Sequence, residues 1–265
     1  YPGTMGADYI DYILADKIVA PFEQAPFFTE KIVHLPDCYW VNDDKRRATE
    51  ATPTRREMGL PDQGFVFCCF NNNWKIAPAM FDIWMRLLHR VEGSVLWLLR
   101  DNDGAERNLR QEAARRGIDP ARLVFAARVP LEAHLARHRL ADLFLDTLPY
   151  NAHTTASDAL WLGLPVVTCM GETFAARVAA SLLRAIALPE LIAADLAGYE
   201  ALALRLAQDP ALLASIKARL TRNRDTCPLF DTARFARHIE AAYRTMWDIH
   251  QSGEPPRSFA VPPNG

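Results

Sequence analysis

The chain has 265 residues, 50% of them hydrophobic and 23% charged, with 12 Gly and 18 Pro. That balance excludes collagen, low-complexity disorder and a disulfide miniprotein, and this length buries a full core in one large domain, or one plus part of another. Thirty Lys and Arg against 32 Asp and Glu leave a formal charge of −2, so no nucleic-acid partner is expected, because such binders carry a clear basic excess.

The opening, YPGTMGADYIDY, has no initiator Met and no signal-peptide pattern, and is expected to be a piece beginning in mid-fold. A strand is predicted within YIDYILADKIVAP and another in EKIVHLP, joined by the Pro- and aromatic-rich PFEQAPFFTE. Residues 43–58 are polar without apolar period and read as a linker or exposed hinge. Then a regular alternation begins. Phe65–Phe70 is a buried strand, followed by a helix from Pro78 with Met80, Trp84, Leu87, Leu88 and Val91 on one face. Ser94–Leu99 is the next strand, and a charged helix, Ala105–Arg116, ends at Gly117. Strands at Leu123–Ala126, Leu143–Asp146 and Pro165–Thr168 alternate with helices at Leu131–Arg137 and Thr154–Leu162. Helices then dominate to about His250, and the Pro/Gly-rich end, 251–265, reads as a loose tail.

Short strands buried on both faces and separated by helices imply an α/β fold, a Rossmann-like parallel sheet with helices on both faces, over about 60–225. No apolar run approaches the ~18 residues that cross a membrane. The five cysteines, Cys38, Cys68, Cys69, Cys169 and Cys227, are odd in number and form no CxxC. They read as free thiols of a reducing compartment, the cytoplasm, and argue against zinc.

In such a sheet, ligands sit beyond the carboxyl ends of the strands. Asn71–Lys75 follow the first strand of the sheet, and Arg128, His134 and Arg137 follow Leu123–Ala126. Thr147, Tyr150, Asn151 and the run His153–Asp158 follow Leu143–Asp146, and Gly171–Thr173 follow Pro165–Thr168. Thr154 and Thr155 open a helix, so free N–H groups and two hydroxyls suit a phosphate or diphosphate. Asp158, at i+4 from Thr154, suits a pair of ribose hydroxyls, which together is the spacing of a nucleotide. A plain helix cap by the Thr pair explains the same residues. Lys75 is placed to neutralise a diphosphate, or is a solvated lysine. His134 and Arg137, at i and i+3, are placed to flank a flat base, or are a surface pair. The G-x-G-x-x-G and G-x-x-x-x-G-K-[ST] loops are absent, which counts against NAD(P) enzymes and NTPases. Asp101-Asn102-Asp103-Gly104 has a D-x-D outline but reads as a turn, and no metal is assigned to it.

Together, HTTASDALWLGLPVVTCMGETFAARVAASLL, FNNNWKIAP, SVLWLLR, RLADLFLDTLPYNAHTT, the opening YPGTMGADYIDYILAD and CPLFDTARF resemble glycosyltransferase family 41, the protein O-GlcNAc transferases, in the family's order over nearly the whole chain. The resemblance implies a bacterial homologue with a GT-B fold: an inverting, metal-independent enzyme moving GlcNAc from UDP-GlcNAc to Ser/Thr hydroxyls of proteins. It implies that residues 1–50 end an N-terminal lobe, 51–230 form the UDP-sugar-binding C-terminal lobe, and helix 231–250 packs back on the first lobe through Phe235, Ile239, Ala242 and Met246. It further implies that Lys75 holds the diphosphate and serves catalysis, with Asn72 nearby, and that His153, Thr154 and Thr155 cradle the same group. Asp158 would take the ribose, Arg137 would pack on uracil with His134 beside the nucleotide, Val129, Pro130 and Leu131 would border the base, and Gly3 would approach the sugar. Two departures lower the expected donor affinity: Asn72 stands where the family often has Gln, and Leu131 where it often has Lys. The family's catalytic His and its tetratricopeptide array lie outside this sequence, so the chain alone is expected to bind nucleotide without turnover. The rival expectations are a protein O-fucosyltransferase using GDP-fucose, a GT-B-fold sugar-nucleotide epimerase and a non-catalytic nucleotide-binding module.

Overall fold

The structure, a computed structural model, describes residues 2–263. It contains two parallel sheets. Strands β1 (Tyr12–Ala15) and β2 (Lys31–His34) fall in the two segments expected, and pair with each other from Tyr12↔Lys31 to Ala15↔His34. The large sheet holds β3 (Val66–Cys69), β4 (Val95–Leu99), β5 (Leu123–Ala126), β6 (Leu143–Leu145), β7 (Val166–Cys169) and β8 (Ile192–Ala193). Every residue of β3, β4, β6 and β7 is buried, as apolar runs covered on both faces must be.

The strand order is β5-β4-β3-β6-β7-β8. The chain thus starts in the middle, builds outward to β5, returns and builds the other way from β6. This is the doubly wound Rossmann order, with its reversal between β3 and β6, where a crevice opens above the carboxyl ends. The register Phe67↔Leu143 and Cys68↔Phe144 brings those two strand ends side by side.

The helices are α1 (Pro78–Arg90), α2 (Asp103–Arg115), α3 (Leu131–Arg137), α4 (Thr154–Trp161), α5 (Val178–Ala185), α6 (Leu196–Gln208), α7 (Pro210–Arg224) and α8 (Thr232–Gln251). Pro78 opens α1, whose Met80, Trp84, Leu87 and Leu88 are buried. Gly117, at φ +74°, ends the turn after α2 as the sequence predicts. The D-x-D outline is a helix start: Asn102 Oδ1 accepts from Ala105 N (2.8 Å), while Asp101 pairs with Arg128 and Asp103 with Arg100. In the core, Trp84 donates to the Tyr199 hydroxyl (3.1 Å), which donates to the carbonyl of Asp146 (2.9 Å) at the end of β6.

Three segments differ from expectation. The tail is not loose: β9 (Phe259–Ala260) pairs in parallel with β2, giving a small sheet ordered β1-β2-β9. Ser258 Oγ accepts from Ile32 N (2.9 Å), Val261 N donates to His34 O (2.9 Å), and the Val261 side chain is buried. Pro-rich composition hid a short apolar alternation that closes over the face between β2 and α8. There Phe235, Ala242 and Met246 of α8 join Val33, Leu35 and Val261. Segment 43–58 is no free hinge either, since Arg139 holds the Thr49 carbonyl and the Thr52 hydroxyl at 3.0 Å and Arg46 reaches α4. Its partners lie far along the chain, which local polarity cannot reveal. Strand β8 is too short to announce itself in the sequence.

Candidate functional site

A cavity of about 350 Å³ lies over the carboxyl ends of β3 and β6 and brings together Asn72, Lys75, His153, Thr154 and Thr155. Phe70 and Asn71 line it from the end of β3, and Trp40, Trp74 and Tyr150 supply aromatic walls.

Lys75 ends a short 3-10 turn after β3 and is half-buried. Its Nζ donates to Asn151 O (2.9 Å) and stands 4.2 Å from the Tyr150 ring centroid. Burial pulls the ammonium pKa down, and the nearby Asp146 opposes that pull. Asp146, which the sequence offered only as the end of a strand, is the charge beneath Lys75. Its carboxylate accepts from Thr147 N (2.7 Å), Ala152 N (2.6 Å) and Thr168 Oγ1 (2.6 Å), clamping the loop between β6 and α4. Burial pushes its pKa up to about 6, against these hydrogen bonds and Lys75. A polar residue terminating an otherwise apolar strand was the available signal.

The start of α4 is an uncapped helix N-terminus. His153 makes no side-chain cap, and the first intrahelical bond is Ser157 N to His153 O (3.1 Å), which leaves the Thr154, Thr155 and Ala156 N–H groups ahead of it. The expected plain cap by the Thr pair is not what the structure contains. The Thr155 hydroxyl does not face the cavity freely, because it donates to Asn71 Oδ1. Asn71 Nδ2 in turn donates to Thr147 Oγ1 (2.8 Å), so this relay ties the end of β3 to the β6–α4 loop. Thr154 is exposed. His153 stacks on Tyr150 with 5.0 Å between ring centroids, and burial next to Lys75 drives its pKa down to about 4. It is therefore neutral near pH 7, and its Nε2–H faces the Ala175 carbonyl (3.5 Å), so it brings neither charge nor a free N–H to the cavity.

Beside this cavity, Arg137 is only 2% exposed, not part of a surface pair. Its guanidinium lies 4.5 Å from the Phe70 ring centroid, NH1 donates to Ala127 O (2.6 Å), and NH2 donates to His134 Nδ1. Burial lowers its pKa to about 10, and its Nε is buried without a partner among the described residues. Because His134 accepts at Nδ1, its proton sits on Nε2. Burial, His138 and Arg137 push His134 down to about 3, so it too is neutral. Val129, Pro130 and Leu131 sit exposed where α3 begins, Pro130 at the N-cap. Val129 and Arg137 share a second cavity of about 500 Å³ with Thr49, Thr52 and Met58 of segment 43–58.

Of the expected site residues, Val129, Pro130, Leu131, His134 and Arg137 stand beside the first cavity rather than in its lining, and Asp158 and Gly3 are not in the lining either. Asp158, 3% exposed, gives Oδ1 to Arg46 NH1 at 2.6 Å. Gly3 precedes Thr4 and Met5, which are anchored on Glu30 (2.7 and 2.6 Å), and is not in the lining. Gly171 and Glu172 also stand outside it, with Glu172 O accepting from Gln24 (2.8 Å). All five cysteines are free, and no cluster of three His, Cys, Asp or Glu among the described residues has the arrangement of a metal site. No helix among them is long and apolar enough to cross a membrane. An ammonium and helix-start N–H groups that have no partner among the described residues, together at a switch point, can hold a small polyanion, with aromatic and guanidinium planes beside it for a flat ring.

The family model described as Glycosyl transferase family 41 matches residues 1–52 and 44–239. A protein of Arabidopsis thaliana named as a probable UDP-N-acetylglucosamine--peptide N-acetylglucosaminyltransferase, SEC, is 41% identical over 98% of this chain. The UDP-N-acetylglucosamine--peptide N-acetylglucosaminyltransferase of Caenorhabditis elegans is 40% identical over 76% of it. The chain spans only 27% and 18% of the length of these two relatives. Among solved structures, a mutant of the Thermobaculum terrenum O-GlcNAc transferase superposes with a TM-score of 0.85 at 30% identity, covering 96% of this chain and 48% of that one. The lipopolysaccharide glycosyltransferase WaaG superposes with a TM-score of 0.60 at 18% identity, covering 90% of this chain and 64% of its own, a likeness of fold alone.

Proposed function

Since the chain belongs to glycosyltransferase family 41 and has the α/β fold of GT-B glycosyltransferases, we propose that it is the donor-binding part of an inverting, metal-independent enzyme that moves GlcNAc from UDP-GlcNAc to Ser/Thr hydroxyls of proteins. The observation that carries this reading is the meeting of the Lys75 ammonium and the uncapped start of α4 in one cavity at the β3/β6 switch point. In the reaction, an acceptor hydroxyl attacks the anomeric carbon as the bond to UDP breaks on the opposite side. Negative charge grows on the departing diphosphate. Lys75 and the N–H groups of Thr154 and Thr155 are preorganised to receive it, with the neutral His153 ring beside them. Uracil would lie against Arg137 and His134, bordered by Val129–Leu131, and Asp158 would accept the ribose hydroxyls. The base that takes the acceptor proton lies outside this chain. The small sheet β1-β2-β9 is read as the end of the N-terminal lobe, with α8 packing back on it, and the protein-selecting region belongs to the rest of the polypeptide. The names of the similar proteins favour UDP-GlcNAc over GDP-fucose and over epimerase chemistry.

Calorimetric titration of the chain with UDP, repeated with GDP and in EDTA, tests the site. UDP should bind with or without the chelator and GDP should not. Absence of UDP binding, or its loss in EDTA, refutes the proposal. Transfer of labelled GlcNAc to protein by the complete polypeptide tests the reaction.

A further inference from the structure

Arg46 belongs to a segment that reads as solvent-facing linker, yet its side chain is 12% exposed and every part of its guanidinium is engaged. NH1 donates to Asp158 Oδ1 (2.6 Å), NH2 to Ser157 Oγ (3.3 Å) and Asn42 Oδ1 (3.4 Å), and Nε to the Asp43 carbonyl (3.1 Å). Trp161, one turn beyond Ser157 on α4, lies 5.5 Å from the guanidinium and donates from its indole to Arg46 O (3.3 Å). Asn42 is itself buried and tied to the start of α8: its Nδ2 donates to Leu229 O (2.9 Å), and its carbonyl accepts from Thr232 (2.7 Å). These contacts fix one surface-segment arginine in place, and its NH1 is thereby held on the Asp158 carboxylate. Only Oδ1 of that carboxylate is bonded: among the described residues no hydrogen bond reaches Asp158 Oδ2.

We propose that Arg46 is the positioning residue of the nucleotide site, fixing Asp158 through Oδ1 so that Oδ2 is held ready for the ribose hydroxyls. This rests on the reading of the site given above. The electrostatics agree with the geometry. Burial raises the Asp158 pKa, and Arg46 is the charge that opposes the rise. Of the other charged or titratable groups near this face, Arg224 of α7 lies over Trp161, with NH1 3.5 Å from the Trp161 carbonyl, and His153 sits at the start of α4. Without Arg46 the carboxyl is free to turn and holds its proton at higher pH. A neutral acid is a weaker acceptor for a hydroxyl pair than a carboxylate.

The test is calorimetry of wild type, Arg46→Gln and Arg46→Lys with UDP and with 2′,3′-dideoxyuridine diphosphate, between about pH 5.5 and 8. Arg46→Gln should weaken UDP on the order of 10-fold near pH 7, and Arg46→Lys should recover part of the loss. The ratio of variant to wild-type affinity should fall further as the pH is lowered, a comparison that cancels titration of the ligand itself. Dideoxy affinity should be the same in all three proteins, and equal dideoxy binding also certifies that the variants are folded. Unchanged UDP affinity overturns the proposal. So does an equal loss for both ligands, which would make Arg46 a support of the fold alone. If wild type binds the dideoxy compound as tightly as UDP, Asp158 has no ribose role and the inference falls while the diphosphate site stands. If wild type binds neither, the donor-site reading falls and the role of Arg46 with it.

Discussion

Replacing Lys75 with alanine in the complete enzyme removes the one cation that, among the described residues, lines the cavity at the β3/β6 switch point. A unit charge pair about 4 Å apart is worth about 4 kcal/mol at an effective dielectric of 20 and about 1 kcal/mol in bulk water. A half-buried ammonium lies between, at about 2–3 kcal/mol, which corresponds to about 30- to 150-fold. This agrees with the loss of on the order of 100-fold that follows removal of one preorganised donor to a developing anion. On the folding side, the substitution deletes a single hydrogen bond, Nζ to Asn151 O (2.9 Å), and a contact with the Tyr150 ring. It also removes a charge that restrains the pKa of Asp146, so Asp146 then shifts further toward its neutral acid, which limits the damage to the loop. The assay is kcat/KM for GlcNAc transfer alongside UDP affinity and the melting temperature. A variant that stays folded and transfers sugar within about 3-fold of wild type would refute the assignment, because a charge pair of even ~1 kcal/mol exceeds that factor.

Three further outcomes are expected. Asp158→Ala should weaken UDP by roughly 1–3 kcal/mol in calorimetry, and an unchanged affinity would remove Asp158 from the site. Asp146 titrates at about 6 in the folded chain against an ordinary 3.8, so the folded state binds this proton more tightly and its contribution to stability, complete below about pH 4, is lost as pH rises through about 6. In Asp146→Asn that decline should flatten in urea unfolding measured from about pH 4 to 7, the Thr168 hydroxyl turning to meet the amide, and a wild-type slope would assign it elsewhere. Deleting residues 256–265 takes β9 and buried Val261 from the small sheet, which should cost about 2–4 kcal/mol. An unshifted melting temperature would show that the tail adds nothing to the fold.

Much of this was legible because it is local. Runs such as FVFCCF and VLWLL, apolar at every position and of strand length, fit strands covered on both faces, and Pro78 and Gly117 mark helix ends through their own backbone restrictions. Lys75, Asn72 and His153–Thr155 stand out in the sequence by their place just after a strand, and they line one cavity because parallel strands deliver their following residues to one edge. What composition hid were contacts whose partners are distant in sequence. The tail is ordered by β2, more than 200 residues earlier, and Pro-rich residues that look loose alone are held by pairing and by the face of α8.

Residue order by itself therefore determined the alternation of strands and helices, the polar strand ends and the family, since each depends on side chains a few positions apart or on matched motifs. Only the tertiary structure decided that β3 and β6 are neighbours, which places an ammonium and a helix start in one cavity. It alone decided that Asp158 is clamped by Arg46 across 112 positions, that Arg137 is buried, and that Thr155 spends its hydroxyl on Asn71. Such facts follow from which surfaces the whole chain brings together and seals from water, and burial and pairing of charge cannot be computed from any short stretch.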